Sequence, residues 1–219
     1  FSRARKAEQD RVWTGMARET AHQLGTPLSA LYGWTTLLEE EGASHAAVAE
    51  IKKDLARLQT VADRFSKIGT EGKGQPGNLR ELLQQTVEYL QRRSPGEIHL
   101  QLVIPEMLPE VPMQPVLLGW VVENLLRNAM DAMEGSGEVT ITAVHQGSKV
   151  YVDVTDTGRG MNARTRRAIF RPGFTTKTRG WGLGLSLAKR IIESGHRGSL
   201  TVQRSVPGEG STFRIELPC

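Results

Sequence analysis

Residues 139–160 read Val-Thr-Ile-Thr-Ala-Val-His-Gln-Gly-Ser-Lys-Val-Tyr-Val-Asp-Val-Thr-Asp-Thr-Gly-Arg-Gly. Val139, Ile141 and Ala143 alternate with polar residues, and Val150, Val152 and Val154 do so again. A period of two is the mark of a half-buried strand, so two strands are predicted here, the second running into Asp156-Thr157-Gly158-Arg159-Gly160. Upstream, Asn78 is placed to cap a helix from Leu79 to about Arg93. Ile98, Leu100, Leu102 and Ile104 then alternate as a strand, and Pro115 to Met133 is an apolar-rich helix. Downstream, Leu183–Ser194 is helical in pattern. Leu200 and Val202, then Phe213, Ile215 and Leu217, close the chain as strands. Strands in pairs with three helices imply an α+β sandwich, one sheet with its helices on one face.

Residues 1–68 follow a different pattern. Ala17, Ala21, Leu24, Leu28, Leu31, Thr35 and Leu38 form one helical stripe; Val48, Ile51, Leu55, Leu58, Ala62 and Phe65 form a second. Between them Gly42 is a C-cap candidate and Ser44 an N-cap candidate. Two antiparallel helices cannot bury both stripes, and pairing with a second copy into a four-helix bundle is the simplest solution. A homodimer through residues 1–72 is therefore expected. Residues 69–78, Gly-Thr-Glu-Gly-Lys-Gly-Gln-Pro-Gly-Asn, read as a linker. The predicted organisation is a helical hairpin over 1–72 and a sandwich domain over 73–219.

Composition narrows the function classes. The 219 residues are 38% hydrophobic and 24% charged, which suits a folded chain with a core. A net charge of +4 is too mild to argue for nucleic acid, and none is expected as a partner. No apolar run reaches the roughly 18 residues of a membrane span. The first residue is Phe1, so a piece of a longer protein is expected. The lone cysteine, Cys219, excludes an intramolecular disulfide and a cysteine-rich zinc site.

Four segments carry chemistry. In Ala21-His22-Gln23-Leu24-Gly25-Thr26-Pro27, His22 sits beside the apolar stripe and Pro27 stands inside a helical pattern, where it costs about 3 kcal/mol or a kink. In Glu123–Ala132, Asn124, Asn128 and Asp131 share one helical face, a set of oxygen donors suited to hydrated Mg²⁺ and phosphates. Asp156, at a strand end, can accept the exocyclic amino proton of adenine, with Gly158 and Gly160 letting backbone approach a flat ring. From Met161 to Gly184 the chain is basic and has no acidic residue; it includes Phe170, Thr176, Lys177 and Gly182-Leu183-Gly184, and looks like a lid over a triphosphate ending at a helix start. It is neither a Walker A motif nor a Rossmann fingerprint.

Taken together these residues resemble the kinase core of bacterial two-component sensor histidine kinases. His22 with Thr26-Pro27-Leu28 resembles the H box, and Asn124-Leu-Leu-Arg-Asn128 the N box. Asp156 to Gly160 resembles the G1 box, Phe170 to Phe174 the F box, and Gly180-Trp-Gly-Leu-Gly184 the G2 box. Pro207 to Phe213 resembles the closing turn. The resemblance implies a dimerising phosphotransfer hairpin followed by an ATP-binding domain of the Bergerat fold. It implies ATP and Mg²⁺ as cofactors, a cytoplasmic kinase core in a soluble or membrane-anchored parent, and transfer to an aspartate of a response regulator. His22 would be the phosphoacceptor, with Gln23 standing where the family usually has an acidic residue. Thr26 would position water for regulator dephosphorylation. Asn128 would hold Mg²⁺, with Asn124 supporting the phosphates and Asp131 also in the cofactor site. Asp156 would read adenine, while Gly158, Gly160, Phe170, Thr176, Lys177, Gly182, Leu183 and Gly184 shape the nucleotide site and Thr212 lies near its adenine end. ATP-hydrolysing relatives of this fold need a carboxylate one turn before the metal-holding Asn. Here that position is Asn124, and an amide cannot act as a general base.

Overall fold

The computed structural model describes residues 27–67, 74–94, 96–177 and 182–219. The chain divides into two compact units, Phe1–Glu71 and Gly72–Cys219.

In the first unit α1 covers residues 27–40 of the described part and α2 is His45–Lys67. The break between them is a glycine cap. Gly42 has φ +78, its N–H bonds to the Glu39 carbonyl, and Ala43 N–H reaches back to Leu38. That is the paired 6→1 and 5→2 bonding that ends a helix with glycine in the left-handed region. The Ser44 carbonyl then takes the first bond of α2, from Val48 N–H. Leu28, Leu55 and Ala62 bury against one another with Tyr32 packed on them. Among the described stripe residues Leu28, Thr35, Val48, Leu55 and Ala62 are covered. Leu31, Leu38, Ile51 and Leu58 are exposed, as is Trp34 at 63%. The stripe residues Ala17, Ala21 and Leu24 lie outside the described residues.

The second unit holds a five-stranded sheet in the order β2-β4-β5-β7-β6. Its strands are β2 (Glu97–Val103), β4 (Ser136–Gln146), β5 (Lys149–Asp156), β6 (Ser199–Val206) and β7 (Gly210–Pro218). β2 runs parallel to β4, and the other pairs are antiparallel. Side-chain alternation sends Val139, Ile141, Ala143, Val150, Val152, Val154, Phe213, Ile215 and Leu217 to one buried face. That face is covered by α3 (Leu79–Gln91), α4 (Pro115–Ala132) and α6 (Gly184–Arg190). The opposite face is polar, and its most regular feature is the two-pronged bond from Arg214 to Asp153 at 2.7 and 2.6 Å.

Four elements exceed the sequence expectation. β1 (Gln75–Gly77), inside the stretch expected as linker, pairs antiparallel with β3 (Val111–Met113). The basic segment contains a short helix, α5 (Ala163–Ala168), whose N-cap Asn162 accepts the Thr165 N–H at 2.8 Å. The last helix does not run unbroken to Ser194; after Arg190 it widens into a π-helical turn, Ile191–Gly195. Asn78 caps α3 as expected, accepting the Glu81 N–H at 3.1 Å. Among the described residues no helix is long and apolar enough to cross a membrane.

Candidate functional site

A cavity of about 600 Å³ opens in the second unit between α4, the end of β5, α5 and the segment leading to α6. Its two ends have different chemistry.

At one end is Asp156. It continues the inward alternation of Val150, Val152 and Val154, so the pleat aims a carboxylate at the core face, where it is 4% exposed. Its Oδ1 accepts the N–H groups of Gly158 at 2.9 Å and Ser211 at 3.3 Å. Burial pushes its carboxyl above the ordinary carboxylate range, against the opposing pull of those two amides. The loop after it is held closely. Gly160 has φ +61, and a Cβ there would lie 1.9 Å from the Val206 carbonyl oxygen. Only glycine allows this loop to lie against the β6–β7 turn, which also donates Gly208 N–H to the Arg159 carbonyl at 2.8 Å.

At the other end α4 presents Asn124, Asn128 and Asp131. Lys177 Nζ donates to Asn128 Oδ1 at 2.8 Å and to Asp131 Oδ2 at 2.5 Å. An amide oxygen and a carboxylate oxygen thus already converge on one positive charge, the arrangement a hard divalent cation asks of its protein ligands. Asn124 Nδ2 is buried with no partner among the described residues, a donor left for a ligand in the cavity. Gly184, at the start of α6, leaves room for that amide; a Cβ would stand 2.6 Å from Asn124 Oδ1. These residues fit both Mg²⁺ and phosphate.

Of the expected residues, Asn124, Asn128, Asp131, Asp156, Gly160, Thr176, Lys177, Gly182, Leu183 and Gly184 line this one cavity. Three expected residues are not among its lining. Gly158 packs against Ala132 and gives its N–H to Asp156. Phe170 lies under the Lys189 ammonium, 4.7 Å from the ring centre, while Ile169 faces the cavity. Thr212 meets the Thr155 hydroxyl at 3.1 Å on the polar sheet face; its neighbour Ser211 takes the cavity position. The alternation of Phe213, Ile215 and Leu217 carries that signal, because Ser211 shares their face and Thr212 does not. Arg159 and Pro207, quoted within motifs but given no role there, also line the cavity, as do Asn162 and Thr165, which were not singled out. His22, Gln23 and Thr26 lie outside the described residues, as do Gly180 and Trp181 of the last glycine motif.

Residues 113–219 match the family described as histidine kinase-, DNA gyrase B-, and HSP90-like ATPase. The chain is 33% identical over 210 residues to the sensor histidine kinase ZraS of Escherichia coli (strain K12), covering 93% of this chain and 45% of the relative. It is 30% identical over 227 residues to sporulation kinase E of Bacillus subtilis (strain 168), covering 99% of this chain and 30% of the relative. The chain thus spans less than half the length of these curated relatives. A solved catalytic domain of the histidine kinase ThkA superposes with a TM-score of 0.59 at 30% identity, over 67% of this chain and 96% of that one. Full-length ShkA in complex with AMPPNP shares the fold, with a TM-score of 0.75 at 24% identity over 93% of this chain and 45% of that one. With a mixed sheet, a cavity that joins a buried carboxylate to a cation-holding amide helix, and these relatives, the chain belongs to the sensor histidine kinases.

Proposed function

We propose that the chain is an ATP-dependent protein histidine kinase that phosphorylates its own His22 and passes the phosphoryl group to an aspartate of a response regulator. The observation that carries this reading is the two-ended cavity: Asp156, backed by two amides, at one end, and the Asn128–Asp131 oxygen pair, holding the Lys177 ammonium, at the other. With both amides on Oδ1, Asp156 keeps Oδ2 for the adenine amino group. Asn128 and Asp131 would hold Mg²⁺, and Lys177, released from them, would meet the phosphates beside Asn124 and the Gly182–Gly184 backbone. When bound, Mg²⁺ supplies charge neutralisation for the transferring phosphoryl group. One nitrogen of the neutral His22 ring attacks the γ-phosphorus, the bond to the β–γ bridging oxygen breaks, ADP leaves, and the proton on the other nitrogen is lost. Asn124 stands where a water-activating carboxylate would serve hydrolysis, which favours transfer to a side chain.

The test is incubation with γ-labelled ATP and Mg²⁺. Label should appear on the chain, stable to base and labile to acid, as a phosphohistidine is. Absence of label, or acid-stable label, contradicts the reading.

The exposed Leu31, Trp34, Leu38, Ile51 and Leu58 support dimerisation through residues 1–72. Full burial of an aliphatic side chain contributes about 1.5–3 kcal/mol. The double substitution Ile51→Glu, Leu58→Glu should therefore leave a helical monomer. A dimer mass by light scattering at tens of micromolar would exclude this face as the interface.

Gln23 can select the tautomer of His22 through its amide oxygen but cannot accept the proton the ring loses. Gln23→Glu should raise the rate of labelling at saturating ATP about tenfold, the low end of general-base assistance. An unchanged rate would show that another group is the base. Thr26, four residues after His22 in the sequence, is the residue proposed to position water for regulator dephosphorylation. Cytoplasmic placement of this core belongs to the same reading.

A further inference from the structure

His196 is 3% exposed and is not part of the cavity wall. Its Nε2 accepts the Gln114 N–H at 3.0 Å, and its Nδ1 lies 3.0 Å from the Ile191 carbonyl oxygen. A backbone N–H requires an acceptor at Nε2 and a carbonyl requires a donor at Nδ1, so the ring is the neutral Nδ1–H tautomer. Burial favours the same neutral form.

The two backbone groups belong to different helices. Gln114 is the N-cap of α4 and has no side-chain cap of its own. Ile191 closes α6, where the helix widens into the π turn. Beyond these joined ends the same helices meet again at the cavity, where Gly184 of α6 abuts Asn124 of α4. Asn124 is about 15 Å along α4 from Gln114, at 1.5 Å per residue. A tilt of about 4° at the joined end therefore displaces it by about 1 Å, enough to matter for a positioned group.

We propose that His196 is a positioning residue for nucleotide binding, joining the start of α4 to the end of α6 and so fixing how Asn124 and Gly184 face each other in the phosphate end of the cavity. This rests on the nucleotide reading of the cavity.

The test uses the full chain, with affinity for Mg²⁺–AMPPNP measured by calorimetry and the unfolding midpoint measured beside it. His196→Phe fills the space and makes neither bond. His196→Asn offers an amide at the Nδ1 position, toward Ile191 only. Val150→Ala, at the far end of β5 from Asp156, is the control for lost core stability. The Phe variant should bind about tenfold more weakly than wild type, the Asn variant should fall between, and Val150→Ala should bind as wild type despite a lowered midpoint. Wild-type affinity in both His196 variants, or an equal loss of affinity in Val150→Ala, overturns the proposal. If the Phe variant does not fold, the Asn variant decides: reduced affinity supports the pin and wild-type affinity overturns it. Failure of the wild-type chain itself to bind AMPPNP would instead overturn the nucleotide reading, and the pin with it.

Discussion

Asp156→Asn should raise the unfolding midpoint at pH 8 while reducing ATP affinity on the order of 10²-fold. Both effects come from one buried carboxylate. Its folded-state pKa is raised above the unfolded value by loss of water, only partly opposed by the Gly158 and Ser211 amides. Between the unfolded and the raised folded pKa the native state binds more protons than the unfolded chain, so stability from this group falls as pH rises through that window. Once ionised, the side chain is a net cost to the free protein. Asparagine keeps an oxygen for both amides and removes the charge. In the bound state the same change is harmful, because an NH₂ replaces the free Oδ2 and would face the amino group of adenine, donor against donor. Scanning fluorimetry at pH 5 and pH 8, with calorimetry at pH 8, separates the two effects. The wild type should lose more of its midpoint between these pH values than the variant does. A variant that is less stable at pH 8, or that binds ATP as wild type, would show that Asp156 is a structural carboxylate.

His22→Ala should abolish labelling from γ-labelled ATP and leave ATP affinity within a few-fold of wild type. The cavity residues all belong to the unit Gly72–Cys219, whereas His22 belongs to Phe1–Glu71, so removing the imidazole removes the acceptor and not the nucleotide site. The structure also narrows where residual label could go. His196 is buried with both ring nitrogens engaged. His45, His99 and His145 are exposed. Stoichiometric labelling of His22→Ala would move the acceptor to one of those three, which double variants with His45→Ala, His99→Ala or His145→Ala would resolve.

Much of the sandwich was legible because its strands alternate cleanly. Val139 to Ala143, Val150 to Val154 and Phe213 to Leu217 each bury the expected face. The two strands of the β1–β3 ribbon were not legible. Each is three residues long, and Pro76, Gly77 and Pro112 are residues that sequence patterns assign to loops. The π turn after Arg190 was hidden for another reason: Ile191 and Ile192 continue a helical apolar face, and the His196 ring meets the Ile191 carbonyl across the widened turn, a local bond that hydrophobic spacing does not encode. At the candidate site, the amide helix and Asp156 were readable from spacing and strand position. The Lys177 bridge to Asn128 and Asp131 was not, since it joins residues 49 and 46 apart in sequence. Ser211 could have been found by extending the alternation of β7 by one step, which would have replaced Thr212 as the cavity residue.

The most direct measurement of the central claim, that this one cavity binds ATP at both ends, is a heteronuclear NMR titration of the full chain with Mg²⁺–AMPPNP. The account predicts that the largest shifts fall on the backbone amides of Gly158 and Ser211 and on the side-chain amides of Asn124 and Asn128, all saturating together. Shifts confined to other surfaces, with these four groups unmoved at saturation, would contradict it.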